Sequence, residues 1–544
     1  MGVFRAALHR LTGIEPRHGQ PPPRPSSGIP GEGEKAWPAS TYVCPENRAH
    51  SCLEAGRRAT GDSRPLVYNL RVPMANLNWL LIYTTLGWLI RAMMLPVVLR
   101  RQFTPGASIA WLGIVYLHPY IGLALYLLLG EARLGPGRVL RHQQLLARYQ
   151  LTGLKETRPA ELHPRCQAIA VQAMKVGRMP VVAGSRVEFL GDSGLMIDQL
   201  VSDIEQAASH VHLLYYMVSR DATGQRVAKA LAEAAGRGVH CRLLADEYAS
   251  RPVFRRGGLA QHLRASGVEV AAALPSSPLR RRDVRNHRKL AVIDGRLAYC
   301  GSQNLIDADY GGRRGAPWVD LTGRFTGPVV GEFAAVFAAD WAFETGNILE
   351  IPSPADIGAE AEGAPMQVVP TGPVSPEESY RRVLLGAIQL STERLIITTP
   401  YFVPDDPTMV SLLMAADRGV DISLIVPEHP DHFFTASAGR AHYSALLTAG
   451  AKIFLYKPGL IHAKLITVDD TLGMIGSANL DIRSFHLNFE LTTLLYGQGV
   501  VEQLRAVQQT YMADSRQLDV KAWTNRNFVK QYADAAVSLV SPLL

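Results

Sequence analysis

His287-Arg288-Lys289-Leu290-Ala291-Val292-Ile293-Asp294, followed after six residues by Gly301-Ser302-Gln303-Asn304, returns later in the chain as His462-Ala463-Lys464-Leu465-Ile466-Thr467-Val468-Asp469, followed after six residues by Gly476-Ser477-Ala478-Asn479. Fourteen residues separate histidine from glycine in each copy. In an extended strand, residues i and i+2 project to one face. His287 therefore goes with Lys289 and His462 with Lys464, while the apolar residues that follow run into the core. The Gly-Ser-x-Asn turn lets backbone approach closely and presents a hydroxyl and an amide. Lys289, Lys464, Asn304, Asn479, Ser302 and Ser477 converging on one point would hold the oxygens of a phosphate. Two imidazoles on its opposite sides would then act as nucleophile and general acid. The lysines supply the positive charge, so neither a metal nor another cofactor is expected. Asp294 and Asp469 complete the six catalytic motif positions. Their odd offset from the histidines turns them to the other face, so a structural role at the strand ends is the preferred reading.

The repetition extends outward from the motifs. Ala234-Ala235-Gly236-Arg237-Gly238-Val239 matches Ala415-Ala416-Asp417-Arg418-Gly419-Val420, 181 residues further on. Each is a helix end, a glycine stop and the start of an apolar strand. β-rich runs precede both blocks, at 212–218 and 395–403. Strands alternating with amphipathic helices predict an α/β fold with a mixed or parallel sheet, and so long a period predicts a duplicated domain rather than a solenoid. The two lobes are expected at 157–350 and 374–544, with the Pro-, Gly-, Ala- and Glu-rich stretch 351–373 as linker.

Two apolar segments, 75–99 and 108–129, predict a transmembrane hairpin over 74–132. The second has no formal charge in 22 residues, and Pro119 is expected to kink it. The first carries Arg91, whose side chain would snorkel to the interface. Arg57, Arg58, Arg64 and Arg71 before the hairpin, with Arg133, Arg138, Arg141 and Arg148 after it, outnumber Arg100 and Arg101 in the connecting loop. That bias places both flanks, and the lobes, in the cytoplasm. Residues 1–73 hold the proline-rich run 20–28 and are expected as a disordered tail without a secretory signal, with Met74 as a second candidate start.

Composition fits this organisation. Charged residues make up 19% of the chain and mean hydropathy is +0.03, which argues against a disordered polypeptide and points to a part in lipid. The net charge of +8 suggests an anionic partner. Five cysteines without a Cys-x-x-Cys pair argue against a disulfide framework and a structural zinc site. The run Arg280-Arg281-Arg282-Asp283-Val284-Arg285 directly before His287 is read as a guide for anionic head groups.

The paired motifs resemble those of the phospholipase D superfamily. With the preceding segment Arg100-Arg101, Ala110-Trp111 and Pro119-Tyr120-Ile121-Gly122, the chain from about residue 75 onward is similar to the bacterial cardiolipin synthases of that superfamily. The resemblance implies a duplicated phospholipase D-like domain whose two α/β/α lobes form one active site. It implies a ping-pong transfer at an inner membrane between two molecules of phosphatidylglycerol, drawn from an anionic lipid surface, with no nucleic acid involved. His287 would attack one phosphodiester, giving a phosphatidyl-histidine and glycerol. His462 would protonate that glycerol and then deprotonate the second lipid's hydroxyl. The residues alone leave open which histidine attacks. The resemblance also implies a histidine-orienting acid after each Gly-Ser-x-Asn, and Asp320 and Glu490 fit. One departure is Ala249, in Asp246-Glu247-Tyr248-Ala249-Ser250, where family members often carry glycine; it bears on the acceptor pocket. The alternatives are phospholipid hydrolysis or another acceptor at the same site, a nucleic-acid phosphodiesterase, for which an anchor is superfluous, and a non-enzymatic scaffold, against which both motifs stand intact.

Overall fold

The structure, a computed structural model, describes residues 74–100, 105–130, 134–153, 160–275, 283–309, 317–351, 357–358, 363–374 and 380–538. The expected tail 1–73, part of the hairpin loop, Arg133, Arg280 to Arg282 and much of the expected linker lie outside the described residues. By internal contacts the chain divides into units 1–76 and 77–544. Of the first, only the helical residues from Met74 are described, and both lobes lie in the second.

The apolar region differs from the expected pair of spans. Helix α1, Met74–Arg100, contains a 23-residue stretch, Asn78–Arg100, long and apolar enough to cross a membrane. The second segment is two shorter helices, α2 (Pro105–Leu117) and α3 (Pro119–Leu129), separated at His118. Pro119 has no N–H to extend α2 and instead takes the first position of α3. The bend is tight: a Cβ on Gly122 would lie 2.6 Å from Val115 Cα. At 1.5 Å per residue these two helices are only about 20 Å and 17 Å long, short of a hydrocarbon core of about 30 Å. Arg91 does not simply reach outward, because its Nε donates to Tyr116 O at 3.0 Å, one of the carbonyls that the break at His118 leaves to be satisfied.

Both expected lobes contribute to one sheet. The first supplies β1 (Val182–Leu190), β2 (His210–Tyr215), β3 (His240–Asp246), β4 (Glu269–Ala273), β5 (Lys289–Ile293), β6 (Leu297–Gly301) and β7 (Thr322–Thr326). The second supplies β8 (Ala364–Thr371), β9 (Arg394–Thr398), β10 (Asp421–Pro427), β11 (Lys452–Tyr456), β12 (Leu465–Val468), β13 (Leu472–Gly476), β14 (Asn488–Tyr496) and β15 (Ser515–Gln517). Among the described residues the order is β4-β3-β2-β5-β6-β7-β1-β8-β14-β13-β12-β9-β10-β11-β15. Apart from β15, each half repeats the other's strand order outward from the antiparallel β1–β8 pair. The outer strands, β2-β3-β4 and β9-β10-β11, run parallel. Strands with helices over both faces read as continuous apolar runs, and Lys289–Ile293 and Leu465–Val468 are buried throughout.

Two boundaries shift from the expected ones. Ala364–Thr371 lies within 351–373 yet is a strand pairing with both β1 and β14, so the apolar Met366, Val368 and Val369 are core rather than linker. The helix Pro164–Gly177, inside the expected first lobe, buries Ile169, Ala173 and Val176 against Val383, Leu384 and Ala387 of the second. Helix α4, Pro136–Gly153, follows the apolar region and packs on the buried helix Val329–Thr345. Arg138 pairs with Glu344 at 2.9 Å, and Tyr149 Oη accepts from Leu349 N at 2.9 Å.

Candidate active site

The site forms where short segments of the two lobes cross. Arg285–Asn286 pairs in parallel with Asn488–Phe489, and Leu460–Ile461 pairs in parallel with Trp318–Val319. The next residue in each case is a motif histidine: His287 N donates to Phe489 O at 2.9 Å, and His462 N donates to Val319 O at 2.8 Å. One residue beyond each acceptor stands a carboxylate. His287 Nδ1 accordingly meets Glu490 at 3.0 and 3.1 Å, and His462 Nδ1 meets Asp320 at 2.6 Å. Each lobe thus supplies the carboxylate that orients the other lobe's histidine. A carboxylate only accepts, so the N–H sits on Nδ1 and each Nε2 keeps its lone pair.

The serines back these carboxylates. Ser302 Oγ donates to Asp320 Oδ1 at 2.6 Å and accepts from Leu321 N, and Ser477 Oγ donates to Glu490 Oε2 at 2.5 Å and accepts from Leu491 N. Their expected phosphate contact is therefore not what the geometry gives, since both hydroxyls are engaged away from the cavity. The glycines before them are required by close approach: a Cβ on Gly301 would lie 2.3 Å from Leu321 O, and one on Gly476 would lie 2.2 Å from Leu491 O.

The strands begin later than expected, at Lys289 and Leu465, so the histidines sit just outside them. Lys289 Nζ donates to His287 O at 2.7 Å and Lys464 Nζ to His462 O at 2.6 Å, which fixes each lysine to its own motif. Asn304 and Asn479 line the cavity with both histidines. Asn304 Oδ1 accepts from Met217 N at 3.1 Å, leaving its amide hydrogens free of that bond, whereas Asn479 Nδ2 donates to Asp481 at 3.1 Å. Asp294 and Asp469 are not brought to the site. Asp294 accepts from the backbone N–H groups of Ala208, Ser209 and His210, and Asp469 from those of Thr392, Glu393 and Arg394. Both have positive φ, 50° and 48°, at the turn that ends their strands.

The cavity has a volume of about 560 Å³. Tyr216 packs edge-on against His287 with centroids 4.7 Å apart, and Trp318 lies 4.5 Å from His462. Ala249 does not line the cavity and has no positive φ; its N–H donates to Asp246 at 3.1 Å. Burial pushes His287 down to about 4, outweighing the Glu490 carboxylate, and burial with the Lys464 charge lowers His462. Burial and the neighbouring Lys464 bring Lys289 down to about 7, and burial brings Lys464 to about 8. Although burial opposes it, the adjacent imidazole holds Asp320 down to about 2. Two imidazoles lowered toward the neutral form beside two buried lysines give a site suited to an anion.

Sequence reasoning missed the supports. Arg288, between the motif histidine and lysine, faces the opposite way and is 1% exposed. Its Nη1 donates to Asp340 at 2.6 and 2.7 Å, its Nε to Glu490 O at 3.0 Å and its Nη2 to Thr371 O at 3.1 Å. Asp340 was legible as one of two charges, with Glu332, in the otherwise apolar run 329–343. The role of Asp246 was not read from the sequence either; its carboxylate accepts from Asn286 N at 3.1 Å and lies 3.5 Å from Arg285, fixing the approach to His287. Among the described residues no group of three or more His, Cys, Asp or Glu side chains is arranged to hold a metal ion.

The family model described as cardiolipin synthase, PLD-like domain, matches residues 200–341 and 384–511, one match over each motif. Cardiolipin synthase A of Erwinia tasmaniensis is 37% identical over 484 residues, which cover 86% of this chain and 99% of that protein. The chain belongs to the phospholipase D-like cardiolipin synthase family. Cardiolipin synthase A of Klebsiella pneumoniae is 35% identical over 86% of this chain and 98% of its own length. Among solved structures, the phosphatidylserine synthase of Haemophilus influenzae covers 69% of this chain and 99% of its own with a TM-score of 0.54 and 15% identity, a likeness of fold. Membership in the cardiolipin synthase family agrees with the duplicated motif and with the apolar helix ahead of it.

Proposed function

We propose that the protein transfers a phosphatidyl group from one phosphatidylglycerol to a hydroxyl of a second, giving cardiolipin and glycerol. The observation that carries this reading is the crossed pair of His–carboxylate dyads facing one cavity, in a chain similar over most of its length to named cardiolipin synthases. His287 Nε2 attacks phosphorus; the P–O bond to the departing glycerol breaks, and His462 gives that oxygen a proton. In the second half, His462 takes the proton from the incoming lipid hydroxyl, whose oxygen displaces His287 from phosphorus. A neutral imidazole is needed for attack, and the lowered pKa of His287 supplies it. A bound phosphodiester anion offsets the repulsion of the two lysines and raises His462 toward the protonated form that the first half requires. Lys289, Lys464 and Asn304 hold the phosphate oxygens. Helix α1 holds the catalytic lobes at the lipid surface, and the basic flanks favour their cytoplasmic placement.

Incubating the purified full chain with labelled phosphatidylglycerol vesicles and a chelator tests the reading. Cardiolipin and glycerol are expected to appear together. Phosphatidic acid as the dominant product would replace this function with hydrolysis, the second use of the same intermediate.

The lysines predict the pH dependence. A lysine whose pKa is lowered carries its charge only below that value, so kcat/KM for phosphatidylglycerol is expected to fall as pH rises through about 7 to 8. In the complex the phosphate anion raises both lysines, so the alkaline limb of kcat lies at higher pH. Coincident limbs in the two profiles would remove the lysines from phosphate binding.

A further inference from the structure

The transfer chemistry leaves a tyrosine–aspartate pair of the cavity without a task. Tyr401, just after β9, donates its hydroxyl to both oxygens of Asp431, at 3.0 and 2.9 Å, from the loop after β10. Both side chains line the cavity that holds His287 and His462. Asp431 is 13% exposed, and His432 Nε2 lies 3.6 Å from its carboxylate. A fixed negative charge opposes binding of a phosphodiester anion, so Asp431 does not serve the phosphate. An ionised carboxylate is an acceptor with lone pairs to spare after one tyrosine hydroxyl, and it suits hydroxyl donors. Asn479 points the same way: its Oδ1 is buried and has no hydrogen-bond partner among the described residues, its Nδ2 is taken by Asp481, and it too lines the cavity. Asp481 is already occupied, accepting from Ser484 N at 2.7 Å as well as from Asn479. Asn304, from the other lobe, turns its oxygen to Met217 N and so faces the cavity as a donor. The lobe of His462 thus brings two acceptors to the cavity, the Asp431 carboxylate and Asn479 Oδ1, although His432 and Arg483 of the same lobe line it too.

We propose that Tyr401, Asp431 and Asn479 form a hydroxyl-binding subsite, in the cavity that holds His462, that takes the two neighbouring free hydroxyls of the departing glycerol head group, whose third oxygen is the one bonded to phosphorus. The two carboxylate oxygens accept from the two hydroxyls, and the tyrosine holds the carboxylate in that orientation. This rests on the phosphatidyl transfer described above and adds a basis for preferring a polyol to a monohydric alcohol. A site built to hydrogen-bond a hydroxyl discriminates strongly against an analogue that lacks it, because its polar groups are left unpaired.

The test supplies the full chain, in phosphatidylglycerol vesicles, with equal concentrations of labelled glycerol and labelled ethanol, and reads the ratio of labelled phosphatidylglycerol to phosphatidylethanol. Asp431→Asn keeps the shape and removes the charge; the ratio is expected to fall about ten-fold or more, the worth of a hydrogen bond to a charged group. Tyr401→Phe is expected to lower it in the same direction by about three-fold, the loss of an ordinary orienting hydrogen bond. A ratio within two-fold of wild type in Asp431→Asn, or in Tyr401→Phe should the first variant not fold, overturns the subsite. The cardiolipin reading fails separately, if the wild type yields phosphatidic acid in place of cardiolipin; the two phosphatidyl alcohols still report the ratio.

Discussion

Replacing His287 with alanine is expected to lower phosphatidyl transfer by about 10⁴-fold or more, and replacing His462 is expected to do comparable damage by a different route. The two losses are separable. Without His287 there is no nitrogen on the Glu490 side to bond phosphorus, so no phosphatidyl-enzyme forms from any substrate. Without His462 the attacking group remains, oriented by Glu490 at 3.0 Å, and only proton transfer is missing. A phosphodiester whose leaving group needs no proton, such as a nitrophenyl ester, should therefore still label His462→Ala and should not label His287→Ala. Mass analysis after acid-free quenching identifies the modified residue. Labelling at His462 in the His287→Ala protein would reverse the roles, and near-full activity of either variant would end the two-histidine mechanism.

The second large effect concerns stability. Asp340→Ala leaves the Arg288 guanidinium buried without its counter-charge, held only by the carbonyls of Glu490 and Thr371, and breaking a buried pair costs about 3–5 kcal/mol. The bond lengths of 2.6 and 2.7 Å and the burial of both partners place the pair in that class. Replacing both, as Arg288→Met with Asp340→Leu, removes the unpaired charge and is expected to restore much of the loss. Denaturant midpoints of the full chain in detergent measure both. A change below about 1 kcal/mol in Asp340→Ala would mean that the guanidinium finds water or another partner. Since Arg288 Nε also holds Glu490 O, the double variant should be stable yet slower, because the backbone that carries the dyad loses that support. His142 of α4 reaches the same cluster, 3.5 Å from Asp340, so the helix that follows the apolar region is tied to the scaffold of the site.

What the sequence by itself determined is the duplication and the inventory of chemistry. Two copies of one motif at one spacing name the histidines, lysines and asparagines, and alternation of apolar strands with amphipathic helices names the fold class, because both signals are local and periodic. The reading of Asp294 and Asp469 as structural residues at the strand ends agrees with the turns where backbone amides hold them, although strand alternation cannot be what places them, because the histidines stand outside the strands. The apolar segment 108–129 shows the reach and the limit of a local signal: the break falls at Pro119, where a kink is expected, but Pro119 begins a new helix and Gly122 folds it against Val115, so the segment is not one kinked span. Only the tertiary structure decided which carboxylate serves which histidine. Asp320 follows His287 by 33 residues and Glu490 follows His462 by 28, and nothing in those separations says that the partners are exchanged. The exchange comes from two cross-lobe strand pairings of two residues each, too short to leave a period in the sequence. The serines were redirected for the same reason, because a hydroxyl at the end of a strand bonds to what the neighbouring lobe brings beside it. The single continuous sheet, joined at the β1–β8 pair, sets that neighbour, and contacts between residues far apart in the chain carry no local mark.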